Sequence, residues 1–387
     1  MTATYIKILQ GNCLKTLSSL KDKSVNTCVT SPPYWGLRDY GTAEWQGGDP
    51  DCLHMRTTKI SKDTATGHKG MFDQGSVVGD AIYKSKCPKC GATRKDEQLG
   101  LEETPEEFAE NLVKLFREVR RVLRDDGTVW LNLGDSYCSS RPMGTSGNSD
   151  NVGNAYKKHT EKNFDFGRIG KTSMLKTNQH RGRGKVVNNL KQKDLIGIPF
   201  RVAFALQNDG WYLRQDIIWH KPNPMPESVT DRCTKAHEYI FLLSKSPKYY
   251  YDSEAIKEKV KQDWGTRDRS SGKYHNEGTG LQPHSGLEKS YETKNKRSVW
   301  SVSPIAYKEA HFATYPPDLI KPCILAGCPE GGTVLDPFGG SGTTAQVANN
   351  LNRNAILCEL NPEYVEIAKD RLHQSLGMFL NLTVEKP

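Results

Sequence analysis

Two short stretches near opposite ends of the chain combine residue types that could do chemistry. The stretch TSPPYW, residues 30–35, follows the apolar run SVNTCVT, and DPFGGSGTT, residues 336–344, follows a second apolar run. A glycine-rich loop between a strand and a helix lets backbone N–H groups approach a ligand at the helix N-terminus. This loop does not match G-x-G-x-x-G and lacks the lysine of a P-loop, so the pattern argues against dinucleotide and ATP sites.

An acidic residue follows the glycine loop at a spacing typical of nucleotide-type cofactors. Glu359 lies 23 positions after Asp336, at the end of the next apolar run. A carboxylate at this place commonly binds ribose hydroxyl groups. The alternative is a glycine-rich turn that only packs a helix on a strand.

The elements that must position these residues alternate between strands and helices. Periodicity and capping residues predict strands at 5–9, 24–30, 128–133, 211–221, 237–246, 332–338 and 354–360. They predict helices at 13–20, from Thr104 to a stop at Asp125-Asp126-Gly127, and at 198–210, 319–328, 339–351 and 361–372. Such alternation predicts an α/β fold with a doubly wound, mostly parallel sheet.

Four motifs together resemble those of the amino-group DNA methyltransferases. They are TSPPYW, HFATYPPDL (311–319), VLDPFGGSGTT (334–344) and CEL (358–360). Their order, with the catalytic motif first and the cofactor loop last, resembles the permuted beta group of that family. The resemblance covers roughly two-thirds of the chain. It implies the S-adenosylmethionine-dependent methyltransferase fold, S-adenosylmethionine as cofactor, and double-stranded DNA as partner.

The resemblance also implies roles for individual residues around the cofactor. Asp336, Phe338, Gly340 and Gly342 match the cofactor loop, and Glu359 matches the ribose-binding acid. His311, Thr314 and Pro316 fall in the segment that usually closes over the methionine end of the cofactor. Asn12 stands where the family often has an aspartate near the adenine ring, and an amide can still hydrogen-bond an adenine edge.

The TSPPYW stretch then acquires a chemical interpretation. An exocyclic base amine is a poor nucleophile because its lone pair is delocalised into the ring. Ser31 can accept one amine N–H and the Pro32 carbonyl the other, which localises the lone pair toward the methyl donor. Pro32 and Pro33 stiffen the loop and remove two competing backbone donors, and Tyr34 is predicted to stack on a base flipped out of the duplex.

The identity of the methylated base is less constrained than the reaction class. Serine in the first motif position is commoner among N4-cytosine enzymes, so we expect cytosine N4, with adenine N6 as the alternative. A catalytically silent DNA-binding relative is the second alternative. A C5-cytosine enzyme would need a Pro-Cys nucleophile in a loop, whereas Pro322-Cys323 lies inside an apolar helical run.

A cysteine-rich segment indicates a structural metal site. Cys52, His54, Cys87 and Cys90 offer four ligands, and the CPKCG sequence has the spacing and trailing glycine of a zinc-ribbon knuckle. We therefore expect a zinc-ribbon-like insert with a structural Zn. Free thiols are the alternative, and His68 is an alternative fourth ligand.

The distribution of charge indicates where DNA would be bound. Most of the formal net charge of +9 lies in residues 138–194, which carry twelve Lys or Arg against four Asp or Glu. Arg181, Arg183 and Lys185 in this stretch are candidate phosphate contacts. The polar interval 253–303 occupies the usual place of a target-recognition region in the beta group. Lys221, Asn223 and Arg232 lie in a segment that resembles the surroundings of the flipped base.

The sequence also predicts domain boundaries and a location in the cell. The predicted units are a catalytic half (1–41, 101–137, 195–252), a Cys/His insert (42–100), a basic insert (138–194), a candidate target-recognition region (253–303) and a cofactor-binding half (304–387). No apolar run approaches a membrane span and the N-terminus lacks the zones of a signal peptide, so we expect a cytoplasmic protein without a membrane partner. The resemblance further suggests a paired restriction endonuclease, and leaves the oligomeric state open.

Overall fold

The computed structural model describes residues 4–36, 42–54, 86–138, 190–191, 193–260, 292–305, 315–377 and 381–387. Its strands are β1 (Ile6–Gln10), β2 (Val25–Thr30), β3 (Glu44–Gln46), β4 (Thr93–Lys95), β5 (Leu123–Leu133), β6 (Tyr212–His220), β7 (His237–Ser244), β8 (Glu258–Lys259), β9 (Thr293–Lys294), β10 (Val299–Ser301), β11 (Thr333–Asp336), β12 (Asn354–Glu359) and β13 (Leu382–Glu385). Its helices are α1 (Cys13–Ser18), α2 (Pro105–Val122), α3 (Ile198–Asn208), α4 (Pro317–Gly327), α5 (Thr343–Asn350) and α6 (Pro362–Leu376).

Nine of the described strands form one sheet in the order β10-β6-β7-β5-β2-β11-β12-β1-β13. Strand β7 runs antiparallel to both of its neighbours, and the other neighbouring pairs are parallel. The predicted doubly wound, mostly parallel sheet is therefore confirmed. Strands β2 and β11, which are about three hundred residues apart in sequence, are direct neighbours, so both ends of the chain contribute to the middle of one sheet.

Helices cover both faces of this sheet. One hydrophobic core lies between the sheet and α1, α2 and α3, and a second lies between the sheet and α4, α5 and α6. Helix α2 shows why the sequence folds this way. The Thr104 hydroxyl accepts a hydrogen bond from the Glu107 N–H at 3.1 Å, and the helix buries one apolar stripe. That stripe consists of Phe108, Leu112, Leu115, Phe116, Val119 and Val122.

The end of α2 differs from the sequence prediction. The helix ends at Val122, and β5 begins at Leu123, so Asp125-Asp126-Gly127 lies inside a strand instead of ending a helix. The pairing of β2 with β5 shifts register between Val25 and Thr27, which accommodates the additional residues as an irregularity. The Lys23 ammonium, 2.7 Å from the Asp125 carboxylate, contacts this exposed part of the strand.

Two further observations bear on the predicted boundaries. Strand β10 lies within the interval 253–303 but pairs with β6 at the edge of the main sheet, where Trp300 is buried. The part of the interval nearest its C-terminal end therefore belongs to the sheet. Most of the basic interval 138–194 lies outside the described residues. Among the described helices, none is long and apolar enough to cross a membrane.

Substituting Gly327 with alanine tests the packing of α4 against the sheet. A Cβ at this position would lie 2.7 Å from Trp130 Nε1 and 2.8 Å from the hydroxyls of Thr27 and Thr128. Helix propensity alone favours alanine by about 1 kcal/mol, whereas overpacking a tight contact costs about 1–3 kcal/mol. We expect Gly327→Ala to lower the free energy of unfolding, measured by urea denaturation.

The exposed Lys321 of the same helix provides the control. Lys321→Ala should change the free energy of unfolding by less than about 0.5 kcal/mol. A Gly327→Ala protein that is more stable than the parent would contradict this close packing of α4 on the sheet.

Candidate functional site

A cavity of about 270 Å³ opens at the carboxyl ends of β2, β11 and β12, where the helices that follow β2 and β11 leave toward opposite faces of the sheet. Ligands of open α/β sheets bind at such a switch point. The cavity brings together most of the predicted catalytic and cofactor residues. Those that line it are Asn12, Ser31, Pro32, Pro33, Tyr34, Phe338, Gly340 and Glu359.

Asp336 joins the two halves of the site from beneath the cavity without lining it. Its Oδ1 accepts hydrogen bonds from Thr30 Oγ1 at 2.6 Å and from the Phe338 N–H at 3.0 Å. Its Oδ2 accepts from the Tyr315 hydroxyl at 2.8 Å and from the Thr344 hydroxyl. Burial raises the pKa of Asp336, and the hydrogen bonds oppose that rise. The carboxyl group thus fixes the end of β2 to the glycine loop and to α5.

The glycine loop brings backbone close to the cavity. A Cβ on Gly339 would lie 2.8 Å from Leu357 Cβ, so only glycine fits at this approach to the sheet. Gly340 has a positive φ of 50°, which favours glycine. Gly342, also with a positive φ, is the N-cap residue of α5 and packs near Ala368 instead of lining the cavity.

Glu359 presents a fixed carboxylate to the cavity. Its Oε2 accepts a hydrogen bond from the Gly340 N–H at 2.8 Å, and its Oε1 accepts from the Asn361 N–H at 2.8 Å. Burial raises the pKa of Glu359 to about 7, against the lowering effect of these two N–H groups. A carboxylate has about four acceptor positions, so two N–H bonds leave capacity for a pair of vicinal hydroxyls. These remaining acceptor positions therefore fit the hydroxyl donors of the ribose of the expected cofactor.

Asn12 is held in place by two local contacts. Its side-chain oxygen accepts a hydrogen bond from the Leu14 N–H at 3.0 Å and caps α1. The Asn12 side chain also hydrogen-bonds the Glu97 carboxylate, whose other partner is the Lys15 ammonium at 2.8 Å. The hydrogen bond from Lys15 holds the pKa of Glu97 below its usual range.

The predicted catalytic loop lines the same cavity as the glycine loop. The Tyr34 hydroxyl donates to Glu238 Oε2 at 2.6 Å, and Glu238 also pairs with the Lys221 ammonium. A Cβ on Gly134 would overlap Tyr34 Cε2, so a glycine at 134 makes room for the Tyr34 ring. Trp35 is buried in the core and donates from Nε1 to the Glu102 carbonyl at 3.1 Å.

The three predicted base-side residues do not share one place. Lys221 lines the cavity, with its ammonium 4.4 Å from the centre of the Trp219 ring. Asn223 is exposed and does not line it. Arg232 pairs with Glu227 at 2.5 Å and lies over the Tyr137 ring at 3.9 Å, outside the cavity lining.

Several other predicted residues cannot be placed around the cavity. Pro316 is the N-cap residue of α4 and does not line it. The remaining predicted residues lie outside the described part of the chain; they are His311, Thr314, Arg181, Arg183, Lys185 and the alternative ligand His68.

Sequence reasoning missed a group of residues on the cavity walls. Asn132, Trp219 and Glu238 come from β5, β6 and β7, and Glu97, Gln98 and Leu99 come from the segment that precedes α2. The sequence did not predict Asn132, Trp219 and Glu238 as neighbours, because the apolar pattern of β7 does not reveal the direction in which that strand runs. A signal existed in Glu238, an acidic residue at the start of an otherwise apolar strand. The second group lies in a segment without periodicity.

The four predicted metal ligands form one cluster. The candidate ligand atoms of Cys52, His54, Cys87 and Cys90 all lie within 4.8 Å of one another. Cys90 Sγ is 3.5 Å from His54 Nδ1, and Cys52 Sγ is 3.8 Å from Cys87 Sγ. A hydrogen bond from the Ala92 N–H is the main cause that lowers the pKa of Cys90 to about 6. This favours the thiolate at Cys90, the form that binds metal. Against a lowering hydrogen bond from the His54 backbone, burial and the Cys90 and Cys87 thiols raise the pKa of Cys52.

Comparisons with known proteins agree with the motif pattern. The N6/N4-Mtase family model, described as DNA methylase, matches residues 25–370. The Type II methyltransferase M.Cfr9I of Citrobacter freundii is 39% identical over 365 residues, which cover 94% of this chain and 87% of the relative. The Type II methyltransferase M.SmaI of Serratia marcescens is 38% identical over 366 residues, which cover 95% and 90% respectively.

Solved structures share the fold at low sequence identity. TTHA0409 of Thermus thermophilus, described as a putative DNA modification methylase and complexed with S-adenosyl-L-methionine, superimposes with a TM-score of 0.50 at 18% identity. That match covers 99% of this chain and 100% of the other. The PvuII DNA methyltransferase, described as cytosine-N4-specific, gives a TM-score of 0.52 at 14% identity, with 100% and 96% covered. The fold predicted from the motifs is confirmed.

The raised pKa of Glu359 predicts a pH dependence of cofactor binding. The carboxylate accepts hydroxyl hydrogen bonds, whereas the protonated acid loses acceptor capacity and its negative charge. Affinity for S-adenosylmethionine should therefore be highest above the pKa of about 7 and fall as the pH decreases through it. The affinity can fall by at most roughly tenfold per pH unit. Isothermal titration calorimetry across this pH range measures the dissociation constant.

Glu359→Gln serves as the matched control because the amide does not titrate. We expect weaker binding that is nearly independent of pH over the same range. A wild-type dissociation constant that stays flat between about pH 5.5 and 8.5 would rule out Glu359 as the titrating ligand.

Proposed function

Because the chain belongs to the DNA methylase family, and is thus a DNA methyltransferase that uses S-adenosylmethionine, we propose that its target is the N4 amine of cytosine in duplex DNA. The observation that carries this proposal is the position of Ser31. It lies on the loop after β2, in the same cavity as Glu359 and the glycine loop. The proposed hydrogen-bond acceptor for the base amine, Ser31, and the proposed cofactor-binding residues therefore line the same cavity.

The proposed chemistry depends on localising an amine lone pair. When bound, S-adenosylmethionine supplies an electrophilic methyl group on a sulfonium centre. The Ser31 hydroxyl accepts a hydrogen bond from one amine N–H and the Pro32 carbonyl accepts from the other, which draws the nitrogen toward tetrahedral geometry. Proline at 32 and 33 leaves no backbone N–H at these positions to compete for either acceptor.

The cavity wall that carries Lys221 is compatible with a cytosine. Next to its N4 amine, cytosine presents two acceptors, N3 and O2, whereas adenine presents one, N1, next to its N6 amine. A lysine donor therefore suits either base, and the preference for cytosine rests on Ser31. The Lys221 ammonium lines this wall and carries three N–H donors, of which Glu238 takes one. Tyr34 and Trp219 provide aromatic surface for a base that has left the helical stack.

We propose that the two polar intervals of the chain bind the DNA outside the cavity. Residues 138–194, including Arg181, Arg183 and Lys185, would neutralise phosphates, and the interval 253–303 would read the target sequence. M.Cfr9I and M.SmaI are named Type II methyltransferases. By analogy we propose that this enzyme protects DNA against a paired restriction endonuclease.

Substitution of Ser31 tests the role of the first acceptor. Ser31→Ala removes one of the two groups that polarise the amine, so we expect kcat for methyl transfer to fall about 10²-fold with little change in cofactor affinity. Transfer of radiolabelled methyl groups to mixed-sequence DNA measures kcat. Ser18→Ala, an exposed serine in α1, is the matched control and should keep wild-type activity.

No methyl incorporation by the intact protein, with Ser31→Ala indistinguishable from it, would contradict the catalytic proposal. That result would favour a catalytically silent DNA-binding relative.

The modified base can be identified directly. We expect mass spectrometry of nucleosides from DNA methylated by this protein to detect N4-methylcytosine. Detection of N6-methyladenine would show that Ser31 does not select cytosine, while the reaction class would stand. A strain without the protein provides the background.

We also propose a structural Zn(II) ion bound by Cys52, His54, Cys87 and Cys90. Three thiols and one imidazole within 4.8 Å form a donor set that tetrahedral zinc prefers. Four protein ligands leave no position for a reacting water, so the ion would stabilise the insert and take no part in methyl transfer.

Metal analysis tests this site. Protein purified without added zinc should contain about one equivalent of zinc, and Cys52→Ser should lose it. Cys233→Ser, which changes an exposed cysteine outside the cluster, should retain it. Less than about a tenth of an equivalent in the wild-type protein would contradict the proposal.

A further inference from the structure

We propose that the metal cluster completes the cofactor cavity by fixing one of its walls, so that S-adenosylmethionine binding depends on the metal. The wall is the segment 96–102, which connects β4 of the insert to α2. This inference rests on the proposed zinc site, and it is independent of which base is methylated. It assigns the insert a role in binding the cofactor.

The first step is the short connection between the cluster and the wall. Cys90 is followed by a tight knuckle, in which the Gly91 N–H donates to the Cys87 carbonyl at 2.8 Å and the Cys87 N–H to the Ala92 carbonyl at 2.8 Å. Strand β4 begins at Thr93, directly after this knuckle, and ends one residue before the wall. Only three residues of extended backbone therefore separate the knuckle from the wall.

The other strand of the insert, β3, also contacts the metal cluster. Strands β3 and β4 pair antiparallel, with Trp45 opposite Arg94. The Trp45 ring stacks on the His54 ring with centroids 4.2 Å apart, and a Cβ on Gly48 would lie 2.8 Å from Cys90 Sγ. The loop after β3 thus lies directly against the ligands.

The wall itself contacts residues that are expected to hold the cofactor. Glu97, Gln98 and Leu99 line the cavity. Glu97 hydrogen-bonds Asn12 and pairs with Lys15, at the start of α1. Because Asn12 caps that helix, the wall and the helix end form one side of the cavity together.

The wall also supports the catalytic loop from behind. The Gly36 N–H donates to the Gly100 carbonyl at 2.8 Å, and Trp35 Nε1 donates to the Glu102 carbonyl at 3.1 Å. Gly100 has a φ of 95°, and a Cβ there would lie 3.1 Å from the Tyr34 carbonyl oxygen. The segment therefore fits closely against residues 33–36.

Magnitudes indicate that the pairing of β3 with β4 and the Lys15–Glu97 ion pair alone do not fix the described part of the insert, residues 42–54 and 86–100. Strands β3 and β4 have three residues each, and an isolated two-stranded ribbon is marginally stable in water. The Lys15–Glu97 ion pair is at least half exposed, and such pairs contribute about 0–1 kcal/mol. Structural zinc in small domains contributes on the order of 10 kcal/mol to folding. The hydrogen bonds from Gly36 and Trp35 hold the C-terminal end of the wall at Gly100 and Glu102. Of the contributions to its other end, next to β4, that of the metal is the largest.

The test compares cofactor binding with and without metal in the full-length protein. Zinc is removed by dialysis against a chelator, and binding of S-adenosylmethionine is measured by calorimetry before removal, after it, and after zinc is restored. We expect at least about tenfold weaker binding, about 1.4 kcal/mol, without zinc, and recovery on its return. Circular dichroism checks that the main sheet remains folded.

Two variants separate the metal from the wall. Cys90→Ser removes a ligand and should lower both the zinc content and the cofactor affinity, with Cys233→Ser as the matched control. Gly100→Ala disturbs the wall but no ligand, so we expect weaker cofactor binding with zinc retained. Unchanged affinity in folded protein that has lost its zinc would overturn the inference, while methyl transfer to DNA could still proceed.

Discussion

The site depends on one buried carboxyl group more than on any other contact. Asp336 receives hydrogen bonds from the last residue of β2, from its own glycine loop, from Tyr315 before α4 and from Thr344 in α5. A buried acid without such partners would be strongly destabilising. The same four donors that satisfy it fix the mutual positions of the loop that carries Ser31 and the glycine loop, so stability and site geometry have a common origin.

This dependence explains how a permuted order of motifs can build one site. The loop that carries Ser31 precedes the glycine loop by about three hundred residues, yet β2 and β11 are neighbours in the sheet. The carboxyl ends of β2, β11 and β12 and the contacts between them form the centre of the cavity. Other connections between the strands can be long and polar, and the interval 138–194 and the part of 253–303 before β10 lie in such connections.

Much of this arrangement could be predicted from local sequence, because its causes are local. Capping by Thr104, the stripe of α2, and the glycines at 339, 340 and 342 each leave a short-range signal. The Asp125-Asp126-Gly127 stretch misled because an irregular strand pairing accommodates residues that usually end a helix. The wall residues Glu97 to Leu99 and the base-side Glu238 depend on contacts between distant segments and on the direction of β7, and neither property is encoded in periodicity.

The contacts that hold the Tyr34 side chain bear on how a flipped base would enter the cavity. Its ring fits against Gly134 and its hydroxyl is held by Glu238, so the side chain is already ordered in the protein without DNA. Ordering a flexible side chain on binding typically costs about 0.5–1.5 kcal/mol, and a preorganised ring avoids that loss of entropy. The main free-energy cost of forming the complex is then the unstacking and unpairing of the target nucleotide in the DNA. DNA sequences and lesions that weaken base stacking should consequently change the affinity of this enzyme for DNA more than movements of the Tyr34 ring do.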